Sequence, residues 1–349
     1  MNFIAYKKSF SDKATLNGYT DQQTEKCLVY AETLFRQGVP IIYNADHFSL
    51  LCGYKKNYLL KAITRTPFYY RTYKIPKKNG GFRTIKEPLP GLKQTQQWIL
   101  RNILEPIPVS RFAKAYKKKV SLRENARFHQ HQPVLLTVDL VDFFGSIDTK
   151  AIQKTFQSLG YAQPMASLLA KLCTLNNQLP QGAPTSPYLS NLVFRELDEE
   201  IASYCIRHSI RYTRYADDLA FSGDFKPEEV LHFLSSVLSN KPFIINDKKT
   251  RIMRPYQRQI VTGIVVNKKI QAPIPFRRKV RQELHFIEKF GLLEHARTQG
   301  KSPFSCYEQL KGKIQFIQQV NPHDKAPVGQ LETLKAIGEV SFALYPESG

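Results

Sequence analysis

Cysteine is scarce in this chain: five residues in 349, at positions 27, 52, 173, 205 and 306, with no pair at C-x-x-C spacing. That excludes a cysteine-ligated structural zinc, and the thiols are expected to lie buried in a reducing cytosol. Long apolar runs are also missing. Nothing approaches the roughly eighteen residues of a membrane span, and the opening Met-Asn-Phe-Ile-Ala-Tyr-Lys-Lys lacks a signal-peptide core, so secretion and membrane insertion are not expected and the location is expected to be cytoplasmic. Repeats and low-complexity tracts are absent. Acidic residues are few, 29 against 51 Lys and Arg, which leaves a formal charge of +22 and calls for a polyanionic partner.

What is present is a globular composition: 42% hydrophobic residues suffice for a substantial core, shared among two or three lobes rather than one domain. The excess positive charge is clustered. Eleven Lys or Arg and no acid lie between Lys248 and Arg281, and six more without an acid run from Arg71 to Lys86. Such stripes suit phosphate backbones. A solvated ribosome-like or membrane-surface face is the alternative, and the aromatics interleaved among the charges favour nucleic acid.

Along the chain, residues 1 to about 65 read as a helical N-terminal extension, with Thr20 and Gln23 at capping-box spacing. From Pro67 a basic hairpin is expected, turning at Pro76 to Gly81, followed by a helix over about 92–104. Val134 to Asp139 has buried-strand character, as do Arg211 to Tyr215 and Leu219 to Ser222, with helices at about 149–159 and 187–205 between them. Beyond Pro275 three helices, 276–290, 303–320 and 328–340, should form a small bundle.

The chemistry is concentrated in Arg211 to Gly223, R-Y-T-R-Y-A-D-D-L-A-F-S-G, where two alternating strands would carry Asp217 and Asp218 at their turn. By itself an Asp-Asp pair is most often a polar surface turn. Adjacent carboxylates repel, however, and divalent magnesium would offset that repulsion with the hard oxygen ligands it prefers. A second carboxylate in an unusual place is Asp139, delivered to the end of the apolar strand in V-L-L-T-V-D-L-V-D-F-F-G-S-I; Asp142 or Asp148 could instead cap the next helix, and Asp148 is expected to. Three carboxylates can hold two ions roughly 3.5 to 4 Å apart for an in-line displacement, the arrangement of nucleotidyl transfer.

Here the residues match a family. Tyr215-Ala216-Asp217-Asp218 and the strand around Asp139 resemble the palm motifs of reverse transcriptases, and the resemblance extends over about residues 65–320. It implies an α+β right-hand polymerase fold with an antiparallel palm sheet, a fingers hairpin and a helical thumb. Fingers are then expected over 66–133, palm over 134–270, and the thumb with a C-terminal segment over 271–349. It also implies two Mg2+ ions, replaceable by Mn2+, on Asp139, Asp217 and Asp218 with the Leu140 main chain. Leu179 to Leu192, L-P-Q-G-A-P-T-S-P-Y-L-S-N-L, resembles the loop and helix that place Gln181 and Gly182 against template and incoming nucleotide. Phe144 stands where the family excludes a 2′-hydroxyl, with Phe143 its core neighbour. Lys74 and Arg83 of the hairpin and Lys249 of Asn246-Asp247-Lys248-Lys249-Thr250 are the expected phosphate ligands.

Two further segments are similar to those of the retron branch: Asn125-Ala126-Arg127-Phe128-His129 to its N-A-x-x-H signature and Val261-Thr262-Gly263 to its V-T-G signature. That resemblance implies a structured noncoding RNA serving as template and primer, a 2′,5′ branch at a guanosine, and a multicopy RNA–DNA hybrid. Deoxynucleoside triphosphates and the DNA product are the other ligands. Asn125, His129, Val261, Thr262, Gly263, Arg277, Arg278 and Lys279 are the expected RNA contacts. An accessory effector in anti-phage defence is a further implied partner, with the N-terminal extension as its expected docking surface. No maturase, endonuclease or RNase H segment follows the last helices, so template removal is expected to need a host ribonuclease. The competing readings are another defence-type or group II intron-like reverse transcriptase and a catalytically silent RNA-binding scaffold; the three intact Asp residues argue against the scaffold.

Overall fold

The computed structural model describes residues 2–77 and 80–344. Lys78 and Asn79 of the expected turn and the last five residues of the expected C-terminal segment lie outside it. The N-terminal extension is helical as anticipated: α1 (Phe3–Leu16), α2 (Asp21–Arg36), α3 (Ala45–Cys52) and α4 (Lys56–Thr64). Side-chain caps define the first three of these starts. The Thr20 side chain accepts from the Gln23 amide while the Gln23 side chain accepts from the Thr20 amide, and Asn44 caps α3 singly by accepting from the His47 amide.

Strands β1 (Tyr70–Pro76) and β2 (Phe82–Pro88) form an antiparallel ribbon. They are followed by α5 (Pro90–Ile99), which widens into a π-helical turn at Leu100–Leu104, and by α6 (Leu122–Phe128). Next come β3 (Val134–Asp139), α7 (Thr149–Ser158), α8 (Gln163–Cys173), α9 (Ser186–Val193) and α10 (Arg195–Arg207). Strands β4 (Arg211–Tyr215) and β5 (Asp218–Gly223), helix α11 (Pro227–Leu238), and strands β6 (Arg251–Met253), β7 (Ile260–Val261) and β8 (Ile264–Val265) follow. Four helices close the chain: α12 (Ile274–Phe290), α13 (Leu292–Gln299), α14 (Pro303–Val320) and α15 (Ala326–Leu344). Asp148 caps α7 by accepting from the Ala151 amide at 2.8 Å, the role expected of it.

Two compact units are formed, each from separate stretches of chain: one from residues up to Lys117 with Asp139–Tyr204 and Glu229–Lys248, the other from Lys118–Val138, Cys205–Glu228 and Lys249 onward. A four-stranded sheet in the order β4-β5-β3-β6 is the centre of the second. Strand β3 is buried along nearly its whole length, which is why it reads as a continuous apolar run rather than an alternating one. The C-terminal bundle packs Val280, Leu284, Ile287, Leu292, Leu310 and Ile314 together. Among the described residues it has four helices where three were anticipated: α12 ends at Phe290 as expected, Gly291 at φ +86 redirects the backbone, and α13 occupies the stretch that was expected to be a connection.

No helix among the described residues is long and apolar enough to cross a membrane. Cys173, Cys205 and Cys306 are buried as expected, but Cys27 and Cys52 are only partly so. Burial pushes the thiols of Cys173 and Cys205 up to about 12, which leaves them unreactive.

Candidate active site

The β4/β5 register pairs Tyr215 with Asp218 and leaves Ala216 and Asp217 as a two-residue turn. Ala216 sits at φ +59, the left-handed backbone that such tight hairpins require at their first central position. This places Asp217, half-buried, and Asp218, exposed, at the tip of the hairpin, where the sequence put them. Arg214 was not anticipated. Its charge pointed to solvent, yet alternation puts it on the buried face of Tyr212, and it is 0% exposed with Nη1 donating to the Ala216 carbonyl at 3.1 Å. A buried guanidinium thus holds the turn that carries the carboxylates.

Asp139 closes β3, the sheet neighbour of β5, and is 8% exposed. Asn246 grips it twice: its Nδ2 donates to Asp139 Oδ1 at 3.0 Å, and its main-chain N–H donates to the Asp139 carbonyl at 2.8 Å. Leu140 forms a backbone bridge with Ile245 in the same stretch. Asn246 was legible only as the start of a motif; its partner is 107 residues away. Among the described residues no three His, Cys, Asp or Glu side chains form a preformed metal cage. The donor set still suits magnesium, which binds through one or two carboxylates, retained waters and substrate phosphates rather than through a closed protein cage.

Gly182 lies against the ribbon. It has φ +129, and a β-carbon there would stand 2.8 Å from both the Ile85 Cγ2 and the Lys86 carbonyl oxygen, while the Lys86 amide donates to the Gln181 carbonyl at 2.8 Å. The loop carrying Gln181 and Gly182 is therefore fastened to β2 by backbone, and no side chain fits at the contact. Gly182→Ala should push the loop off β2 and, in the nucleotide-positioning role that the family resemblance implies for Gly182, raise the KM for deoxynucleotide about tenfold, with steady-state extension kinetics as the measurement. Of the other candidates, Phe143 is in the core against Phe194 and Phe243, whereas Phe144 is half-buried beside Tyr116. The ribbon register pairs Lys74 with Thr84 and Ile75 with Arg83, so Lys74 and Arg83 occupy opposite faces and are not brought together. Lys249 is exposed just before β6.

The segments 125–129 and 261–263 come together. Ala126 of α6 packs with Val261 and Ile264 in one cluster that also includes Leu135 of β3 and Ala220 of β5. Thr262 and Gly263 are the β7/β8 turn, at φ +47 and +83, the two positive values a type I′ turn demands. Direct RNA contact by Asn125 and His129 is not what this fold provides, because they are 1% and 0% exposed. His129 instead bridges the β4/β5 hairpin, Nδ1 to Ser222 Oγ and Nε2 to Thr213 Oγ1, both at 2.7 Å. Val261 is likewise buried; Gly263, Arg278 and Lys279 are exposed, and Thr262 and Arg277 are intermediate.

Comparison with known proteins agrees with these motifs. Residues 75–287 match the family model described as reverse transcriptase (RNA-dependent DNA polymerase). The chain is 36% identical over 267 residues to the retron Ec86 reverse transcriptase of Escherichia coli, covering 74% of this chain and 83% of that one. It is 31% identical over 310 residues to the retron Ec83 reverse transcriptase of Escherichia coli, covering 83% and 94%. Against the retron Mx65 reverse transcriptase of Myxococcus xanthus the identity is 30% over 313 residues, covering 83% and 71%.

Proposed function

The chain belongs to the reverse transcriptase family, with retron enzymes among its relatives, and from that premise we propose that this RNA-directed DNA polymerase copies a structured noncoding RNA held as both template and primer. Synthesis starts from a guanosine 2′-hydroxyl and leaves a 2′,5′ branch, giving multicopy single-stranded DNA joined to RNA. The observation that supports the retron reading is the packing of 125–129 and 261–263, more than a hundred positions apart in the chain, into one cluster with β3 and β5. Two segments that meet only in the folded protein are weak evidence singly and stronger as one unit.

In this reading Asp139, Asp217 and Asp218, with the Leu140 main-chain carbonyl, hold two Mg2+ ions, for which Mn2+ can substitute. Bound there, the ions activate the primer hydroxyl and neutralise charge at the leaving pyrophosphate. Asn246 orients Asp139 through Oδ1. Gln181 and Gly182 lie against template and incoming deoxynucleotide, Arg83 and Lys249 take triphosphate charge, Lys74 on the ribbon's opposite face takes a backbone phosphate, and Phe144 closes the space beside the sugar. Phe144→Ala should raise ribonucleotide use relative to deoxynucleotide about tenfold or more, read as the ratio of kcat/KM for the two.

Arg278 and Lys279 are proposed as RNA backbone contacts, with Gly263 at the exposed hairpin turn beside them in the reading. The biological setting we propose is anti-phage defence with an effector protein. The effector would dock on α1–α4, which expose Ile4, Leu16, Tyr19 and Leu50 and lie outside the stretch matched by the family model. The test of the function is to express the protein with its flanking DNA, isolate the bound nucleic acid, and treat it with DNase, RNase and a 2′,5′ debranching enzyme. A debranchable RNA-linked DNA is expected. RNA-templated DNA without a branch would point to another reverse transcriptase class, and RNA without DNA to a silent scaffold.

A further inference from the structure

A cavity of about 670 Å³ opens in the second unit; its lining includes Arg123, Arg127, Lys268, Lys269 and Arg277 and no residue of the β4/β5 hairpin. Five cations at one concavity repel one another, so the site is suited to an anion rather than to self-closure. The single acid in the lining, Asp324, lies 3.9 Å from Arg277 Nη1 and offsets one charge at most. The Arg277 Nε is buried with no hydrogen-bond partner, although the side chain as a whole is partly open. A buried donor left unmet is costly, and a small shift of the partly open Arg277 side chain onto a phosphate would satisfy it.

The helix that supplies Arg123 and Arg127 is α6. These two residues are four apart and share a face, whereas Ala126 and His129 point the other way into the core. The buried residues of this segment thus anchor the helix, and Arg127 presents charge to the cavity. Arg123 is itself tied down, its Nε donating to the Val320 carbonyl at 3.2 Å. The lining also holds groups of a different kind: the amides of Gln271 and Asn321, and the apolar side chains of Ile270 and Val320.

We propose that this cavity is a pocket for one unpaired nucleotide extruded from the bound RNA, with its phosphate on the arginines and lysines and its base against Gln271, Asn321 and Ile270. A duplex backbone alone presents phosphates along a convex ridge and does not fill a concave site. A single nucleotide does: pockets for such ligands run from about 300 to 1,000 Å³, and RNA is read chiefly at splayed-out bases of loops and bulges. The mixed lining, charge for phosphate with amides and apolar atoms for a base, fits that occupant better than a bare phosphate. The inference rests on the reading of the protein as an RNA-holding retron polymerase and adds where one position of that RNA is recognised.

The experiment uses the full chain expressed with its flanking DNA. The RNA that purifies with it is crosslinked by ultraviolet light, trimmed with nuclease, and the adducts are located by mass spectrometry. Single-nucleotide adducts are expected between Lys268 and Arg277 or between Val320 and Asp324. A double charge reversal, Arg127→Glu with Lys269→Glu, should lower captured RNA about tenfold and reduce the slope of log affinity against log salt by about two. If the reversal unfolds the chain, the wild-type adducts still decide. Adducts confined to other segments would overturn the pocket, as would tight binding of free nucleoside monophosphates by RNA-free protein with no adduct at these peptides. Loss of branched DNA with the pocket adducts intact would count against the retron reading and still support the pocket.

Discussion

Asp217→Ala combined with Asp218→Ala is expected to lower DNA synthesis about a thousandfold or more while captured RNA stays within about twofold of wild type. The size of the loss follows from the chemistry proposed for the pair: without them the two-ion site keeps only Asp139 and a main-chain oxygen, too little negative charge to retain hard divalent cations against water. The retention of RNA follows from the local structure. Asp218 is exposed and Asp217 half-buried, at the tip of a hairpin whose body is held by the stacked Tyr212 and Phe221 rings and by Arg214 beneath the turn. Extension of a primed RNA template measures the first effect, and recovery of co-purifying RNA measures the second. Synthesis that survived the double substitution would remove Asp217 and Asp218 from the catalytic role.

How much of this was readable from the chain depends on the range of the interaction. Strand β3 was expected at the bounds it has, because a buried strand announces itself as an apolar run ended by a charge. The Thr20–Gln23 cap, the Asp148 cap and a turn after Tyr215 are local devices and were visible for the same reason, although Asp218, expected in the turn with Asp217, is already paired with Tyr215 in β5. Helix α8 was not expected: Met165, Ala166, Leu168, Leu169, Ala170, Leu172 and Cys173 are all buried, and only the narrow polar stripe of Gln163, Ser167 and Lys171 marks its period of 3.6. Of the candidate site, residue types and order were legible, but their physical roles were not. Asn246 holding Asp139 and Lys74 parting from Arg83 are consequences of pairing and register, which no single segment encodes.

His129 makes the same point with a larger consequence. In the chain it is the end of a signature expected to touch RNA; in the fold its two ring nitrogens join Ser222 on β5 and Thr213 on β4, residues 93 and 84 positions away. A neutral imidazole carries one donor and one acceptor, and hydroxyls can meet either, so the ring fits both strands without a charge. His129→Ala would leave a cavity and two buried hydroxyls short of a partner, a loss of about 3 to 5 kcal/mol. The expected result is a melting temperature several degrees lower and polymerase activity that fails at 37 °C but returns in part on cooling. Adding Ser222→Ala and Thr213→Val to that variant should cost less than the same two changes cost in wild type, because the groups act as one network. If His129 instead contacted RNA, its removal would weaken RNA capture in a salt-dependent way and leave the melting temperature of the RNA-free protein unchanged. The melting curve of RNA-free protein therefore separates a histidine that staples the β4/β5 hairpin from one that reads a ligand.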